Sequence, residues 1–189
     1  MRWNALFQDL ELQLAEAGIL DLESEIAERS RAETAAIALE DRLRGSLGTH
    51  VGVHLGSGQV FAGTITHAGA ESLVLDEPLH QVLIPYAAVS QYSGLGRFAV
   101  AEASPVRRKL GLASALRGLA RDRAELTVLL AGQPRDAQLQ GVIDRVGRDF
   151  FDLALTWPGE ARRAGRVADV ATVSFQALDA LRSRRGGEF

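Results

Sequence analysis

The stretches "GTITHAGAESLVLDEP" (residues 63–78) and "GVIDRVGRDFFDLALTWP" (residues 141–158) have the same layout. Each begins with a glycine, reaches a second glycine six residues later (Gly69 and Gly147), and then enters an apolar run that ends at a proline. Glycine inside a strand pattern marks a bend or a close backbone approach, and glycine between two strands marks a turn. The repetition predicts that a small β unit occurs twice.

The sequence around the two stretches repeats in the same order. Alternating apolar and polar residues predict five short strands after Gly48, following a helix that ends in "RLRG", and the same plan recurs after Lys109 with a helix that contains "ALRG". The alternative is a chance match, because short β-strands look alike. The aligned pairs are Leu43/Leu116, Leu55/Leu130, Gly63/Gly141, Gly69/Gly147, Leu75/Leu153, Ile84/Val173, Tyr86/Phe175 and Ala88/Ala177.

An N-terminal helical segment, residues 1–46, precedes the first unit. A second helix is predicted from a cap at Asp21 to about Ser46. The first helix carries an apolar stripe larger than a short isolated helix needs, which makes it a candidate partner interface. The stripe consists of Trp3, Leu6, Phe7, Leu10 and Leu14.

Composition limits the classes of protein to which the chain can belong. Among the 189 residues there is no cysteine, which excludes disulfides and thiolate metal sites. No apolar run reaches the roughly 18 residues of a membrane span, and the N-terminus has no signal-peptide pattern, so we expect a cytoplasmic protein. Residues 1–47 carry ten acids and five arginines, whereas residues 105–189 carry fifteen arginines or lysines and ten acids. A basic half attracts polyanions, or else the acidic front of its own chain or of another copy.

A helix followed by five short strands, with a bend glycine in the second strand, resembles the Sm-like fold. The first motif of that family is similar to "VGVHLGSGQVFAGTITHAGAESLVLDE", and its second motif to "VLIPYAAVSQY" and "VATVSFQALDAL". The start "LFQDLE", together with two such units, is also similar to a hypothetical-protein family of high-GC bacteria. The resemblance implies a mainly β, α+β protein with two tandem five-stranded small barrels, each preceded by a helix. The expected segments are 1–46 (helical), 47–95 (first barrel), 96–109 (connector), 110–183 (helix and second barrel) and 184–189 (tail).

The resemblance also implies ring assembly through edge strands and RNA binding at loops. RNA-binding members of the family carry a Lys-His or Arg-Gly pair in the second motif. This chain instead has Pro85-Tyr86-Ala87 and Ser174-Phe175-Gln176 at those places, which weakens the implied RNA binding. Two linked barrels also have the means to pair each other's edges without forming a ring.

No group of residues predicts catalysis or a cofactor. His50 and His54 share a strand face near Asp76 and Glu77, which is compatible with a divalent metal. The spacing favours the other interpretation, in which all four histidines are half-exposed strand residues, so we assign no metal. Ser57 lies in a "GSG" turn rather than in a strand–turn–helix nucleophile context. We therefore expect a protein that is not an enzyme.

Two functions follow as hypotheses. The first is a non-enzymatic binding or scaffolding protein that self-associates or docks a protein partner through the N-terminal stripe. The alternative is an RNA- or DNA-binding regulator that uses the basic second barrel, where arginines and a nearby aromatic residue provide phosphate attraction and base stacking. The candidate nucleic-acid residues are Arg107, Arg108, Lys109, Trp157, Arg162, Arg163 and Arg166.

Overall fold

The computed structural model describes residues 24–134, 137–156 and 169–184, which belong to two compact units, 1–38 and 39–189. In the first unit, residues 24–35 form a helix, α1. The amide of Ala36 bonds to the carbonyl oxygens of Ala32 and Glu33, at 3.1 and 3.3 Å, and the amide of Ile37 bonds to that of Thr34 at 3.2 Å, so the helix ends in a tighter turn. The single helix predicted from Asp21 to Ser46 is therefore wrong, because the chain is not helical at residues 37–38.

The described part of the second unit contains two helices and ten strands, and the strands lie where the sequence predicts them. The helices are α2 (Leu39–Gly45) and α3 (Leu112–Arg121). The strands are β1 (His50–Leu55), β2 (Val60–Ala68), β3 (Ser72–Asp76), β4 (His80–Pro85), β5 (Val89–Ser93), β6 (Leu126–Leu130), β7 (Leu139–Val146), β8 (Phe150–Leu155), β9 (Val170–Ser174) and β10 (Leu178–Arg184). Short 3-10 turns at Tyr86–Ala88 and Phe175–Ala177 lead into β5 and β10.

All ten strands form one open sheet, which contradicts the prediction of two tandem Sm-like barrels. The strand order is β5-β1-β2-β3-β4-β10-β6-β7-β8-β9. The first half (β1–β5) and the second half (β6–β10) each follow the same internal order. However, β4 pairs with β10 of the other half, with Leu83 opposite Leu181, instead of closing on its own half. The polar edge groups of β4 and β10 are satisfied by each other, which makes a continuous sheet rather than two closed units.

The two hydrophobic cores lie on opposite faces of this sheet. Successive side chains of a strand point to opposite faces. On β4, Val82 and Ile84 belong to the core of the first half, whereas Leu83 between them belongs to the core of the second half. On β10, Ala180 contributes to the first core and Leu181 to the second. Side chains of each half therefore pack in the hydrophobic core of the other half.

The paired glycines of the repeated sequence have the same structural role. A Cβ atom at Gly63 would lie 2.5 Å from the carbonyl oxygen of Asp76 on β3, and one at Gly141 would be closer still to the carbonyl oxygen of Ala154 on β8. Both strands have a register shift just beyond the glycine, after Ile65 on β2 and after Ile143 on β7. The close approach and the bulge together increase the local bend of each half.

Loop hydrogen bonds also recur at the aligned positions. In the turn that precedes the third strand of each half, a glycine amide donates a hydrogen bond of 2.8 Å. Gly69 donates to the carbonyl oxygen of Ser72, and Gly147 donates to that of Phe150. The amide of Tyr86 donates a hydrogen bond of 2.9 Å to the carbonyl oxygen of Glu71, and the amide of Phe175 donates one of the same length to that of Asp149. Residues of the first half thus correspond in position to residues of the second half, with the offsets that the sequence alignment predicts.

Glu71 connects the two halves through the start of α3. Its Oε2 atom accepts a hydrogen bond of 2.6 Å from the backbone amide of Leu112, which is the first residue of that helix. The N-cap residue, Gly111, has no side chain with which to cap the helix. The carboxylate of the first half therefore satisfies an amide at the positive end of a helix in the second half.

We expect Glu71→Ala to lower the free energy of unfolding by about 1 kcal/mol, because the amide of Leu112 loses its acceptor and the helix dipole loses a compensating charge. Chemical denaturation measures this loss. Glu125→Ala, at an exposed position, is the matched control and should change the stability by less than about 0.5 kcal/mol. Equal effects of the two substitutions would show that the contact contributes nothing specific.

Candidate interaction surfaces

Three of the predicted nucleic-acid residues lie together in the described structure. Arg107, Arg108 and Lys109 form a 3-10 turn before α3 and are all exposed. None of them makes an ion pair with an acid within the part of the chain that the structure describes. The other predicted interface positions lie outside the described residues; they are Trp157, Arg162, Arg163, Arg166 and the stripe Trp3, Leu6, Phe7, Leu10 and Leu14.

The histidines do not come together as a metal site. His50 shares a shallow polar cleft with Asp76 and Glu77, but His54 is not part of its lining. Glu77 is already engaged, since it pairs with Arg182 at 3.0 Å. Among the described residues, no group of three or more His, Asp or Glu side chains is placed to hold a metal ion.

Among the described strands, β5 and β9 are the two outer ones, and each is hydrogen-bonded to a neighbouring strand on one side. β5 pairs with β1, and β9 pairs with β8. Natural edge strands are usually protected against pairing by charged residues or proline. Neither "VSQYS" (β5) nor "VATVS" (β9) contains a charged residue or a proline. Both edges therefore present backbone groups that another strand can bind.

The orientation of the free groups of β9 follows from the hydrogen bonds at its two ends. The amide of Leu155 bonds to the carbonyl oxygen of Asp169, and the amide of Phe175 bonds to that of Asp149, both at 2.9 Å. Antiparallel pairs alternate between residues that bond to the partner and residues that do not. The N–H groups of Val170, Thr172 and Ser174 therefore point to the free edge.

The antiparallel pairing of β4 with β10, called the joint below, is an edge-to-edge contact within one chain, and its side chains show which interactions stabilise it. Leu83 and Leu181 lie opposite each other and are both buried. On the other face, the Arg182 guanidinium pairs with Glu77 and lies 5.5 Å from the ring centroid of Phe61. Apolar contact, an ion pair and a cation–π contact thus reinforce the backbone pairing.

Next to the β9 edge lies a polar cluster, and two of its positions, 152 and 172, are apolar in the first half. The buried Asp152 carboxylate accepts hydrogen bonds from Thr172 Oγ1 at 2.7 Å and from Arg145 Nε at 2.9 Å. The Thr172 and Arg145 hydrogen bonds, with the Arg145 charge, hold the pKa of Asp152 below its ordinary value, although desolvation opposes the shift. By the alignment, Asp152 and Thr172 correspond to Val74 and Leu83.

The depressed pKa of Asp152 predicts a loss of stability in acid. A carboxyl group whose pKa is lower in the folded than in the unfolded chain stabilises the fold above the unfolded value, near 3.9. This contribution disappears as the pH falls from about 5 towards the folded-state pKa. Removing the threonine hydroxyl with Thr172→Val should therefore reduce the difference in stability between pH 7 and pH 3. Urea denaturation at pH 7 and at pH 3 measures this difference in stability. If the difference is the same in Thr172→Val as in the wild type, the hydrogen bond from Thr172 does not lower the pKa of Asp152.

Three buried polar atoms have no hydrogen-bond partner within the described residues: the Tyr92 hydroxyl, Asp179 Oδ2 and Arg182 Nε. Burial raises the pKa of Tyr92 to about 12. Burial also raises the pKa of Tyr86, whose hydroxyl donates to the carbonyl oxygen of Gly69 at 2.9 Å. Both phenols are thus held neutral as part of the core beside β5.

Sequence reasoning missed Glu71, Asp152 and the free edge strands. The two acids stand in ordinary surface patterns, and their roles depend on partners 41 and 20 residues away in sequence. The edges depend on which strands pair between the halves. The repeated strand pattern is the signal in the sequence from which the edge strands could have been found.

No described helix is long and apolar enough to cross a membrane. The comparisons with family models and with curated proteins give no match to this sequence. The resemblance to the Sm-like family and to proteins of high-GC bacteria therefore stays a prediction.

Proposed function

We propose that this protein is a non-enzymatic scaffold that self-associates by pairing β9 of one copy with β5 of the next. The observation that carries the proposal is the internal joint. Within one chain, β4 and β10 already make this contact. By the alignment of the two halves, β9 corresponds to β4 and β5 corresponds to β10. A β9–β5 contact between copies repeats the same geometry with two edges that have no partner strand among the described residues.

The proposed contact is heterologous, since one copy contributes β9 and the other contributes β5. Such contacts continue until a ring closes or a filament grows. The internal register, with Leu83 opposite Leu181, predicts that Thr172 of one copy faces Tyr92 of the next. Thr172 also has its N–H on the free edge, so it occupies a hydrogen-bonding position of the proposed pair.

The test is Thr172→Pro, which removes the outward N–H, compared with Thr172→Val, which keeps it. Both substitutions remove the hydroxyl bonded to Asp152, so any difference between them reports the backbone group. Sedimentation velocity over a range of protein concentrations should show assembly by the wild type and by Thr172→Val, and a monomer for Thr172→Pro. Circular dichroism should show that Thr172→Pro remains folded. A monomeric wild type, or a Thr172→Pro protein that is folded and assembles normally, would overturn the proposal.

We propose nucleic-acid binding as a second candidate because Arg107, Arg108 and Lys109 are consecutive, exposed and without an acidic partner in the described chain. Fluorescence anisotropy with single-stranded RNA and DNA oligonucleotides at several salt concentrations tests it. Alanine at all three positions should weaken binding and reduce the logarithmic salt slope by about two, because each phosphate contact to a single strand contributes about 0.7. Arg29→Ala is the control, since Arg29 already pairs with Glu33. Absence of salt-dependent binding by the wild type would exclude this function.

A further inference from the structure

The helix α3 contacts the first half at both of its ends. At its start, the Leu112 amide is bonded to Glu71. At its last turn, Leu119 lines a cavity of about 70 Å³ together with Val74 and Leu83 of the first half. Leu112 is only 5% exposed in this arrangement. The pairing of β4 with β10 is therefore accompanied by a second contact, in which the two ends of α3 reach Glu71, Val74 and Leu83 of the first half.

In the described chain, the corresponding helix of the first half, α2, is contacted by the connector residues 96–100, which bond to Asp41, Arg42 and Arg44, rather than by another half. Leu43 and Leu116 are aligned and are both fully buried, which fixes the correspondence between α2 and α3. Leu39 corresponds to Leu112 but is 45% exposed, and Leu47, in the turn that follows α2, is 50% exposed. Leu112 and Leu39 thus stand at equivalent positions of their helices, and of the two only Leu112 is buried.

Charges on the two surfaces are complementary where they would meet. Glu40 follows Leu39 on α2; its Oε2 lies 3.7 Å from Arg44 Nη2, and its side chain is still 46% exposed. On the second half, the position that corresponds to Glu71 is Asp149, and Arg148 stands beside it in the turn between β7 and β8. Arg148 is exposed and makes no ion pair among the residues that the structure describes.

We infer that α2 of one copy lies on the β7–β8 turn of another copy, with Leu39 buried there and Glu40 facing Arg148. The occupant is a second copy of this chain, because the surface repeats an interface already formed within one chain. The inference rests on the proposed self-association and adds to it a side-chain contact outside the paired strands. It makes the assembly sensitive to charge on α2, unlike backbone pairing alone.

A charge exchange tests the contact. Glu40→Arg and Arg148→Glu should each raise the dissociation constant of self-association about tenfold, because like charges then face each other. The double variant should return it to within about threefold of the wild type. Leu39→Glu should weaken assembly as the single charge variants do. Glu125→Arg, an exposed acid on the α3–β6 connection, is the control and should leave the constant within about threefold.

The outcomes separate this inference from the proposed function. If Thr172→Pro abolishes assembly while both single charge variants assemble as the wild type does, the edge pairing stands and the α2 contact is wrong. A double variant as weak as the single variants also overturns the contact. A wild type that stays monomeric at every concentration overturns both. The contact is supported if the single variants assemble weakly and the double variant assembles nearly as well as the wild type. Two substitutions that each damaged the fold independently would not compensate for each other.

Discussion

Replacing Gly141 by alanine should lower the free energy of unfolding by about 2–3 kcal/mol, the cost typical of forcing atoms into a filled space. The new Cβ would meet the carbonyl oxygen of Ala154 and the side chain of Leu153. The first of these is backbone in the paired strand β8, which cannot rotate away. Relief therefore requires that the two strands separate where the sheet bends.

The matched control for this substitution is Gly118→Ala in α3. A Cβ there meets nothing within 4 Å, and alanine is favoured over glycine inside a helix by about 1 kcal/mol. The same chemical change should thus destabilise at one glycine and stabilise at the other. Urea denaturation of both variants measures the difference, and Gly63→Ala should behave like Gly141→Ala. An increase in stability in all three variants would show that the bend does not require glycine.

The elements of this fold could be predicted from the sequence because each strand carries its own signal. In β1, Val51, Val53 and Leu55 alternate with less buried residues, and the structure buries those three side chains. The glycines at 63 and 141 lie where the chain bends. These are local properties of a few neighbouring residues, so the alternation and the turn residues are sufficient to indicate them.

The pairing between the halves could not be predicted in this way. Val82 and Leu83 are adjacent apolar residues on β4, and no local pattern shows that they enter different cores. A run that is buried on both faces lacks the alternation of a half-buried strand. The same difficulty affects Asp152, whose role depends on Thr172 in the next strand. The candidate interaction surface is an edge of the whole sheet, so it emerges only when the order of all ten strands is known.

The exchange of side chains between the cores predicts that the halves unfold together. Leu83 belongs to the first half by sequence but packs in the second core, where it is 8% exposed, and Leu129 belongs to the second half but packs in the first core, where it is 4% exposed. Truncation of a buried leucine to alanine leaves a cavity and costs about 3 kcal/mol. Leu83→Ala and Leu129→Ala should each cause a loss of about that size.

Hydrogen exchange shows which strands become less stable in each of the two leucine variants. If the sheet is one cooperative body, either substitution should reduce amide protection in β1–β4 and in β6–β8 to a similar extent, because global unfolding then exposes both halves. Leu79→Ala, at an exposed position, is the control and should change protection in neither half. Two independent bodies would give a different result: each variant would lose protection in one half only, and denaturation would show two transitions. That result would mean that the β4–β10 joint does not couple the halves, and the internal contact would then be a poor template for assembly between copies.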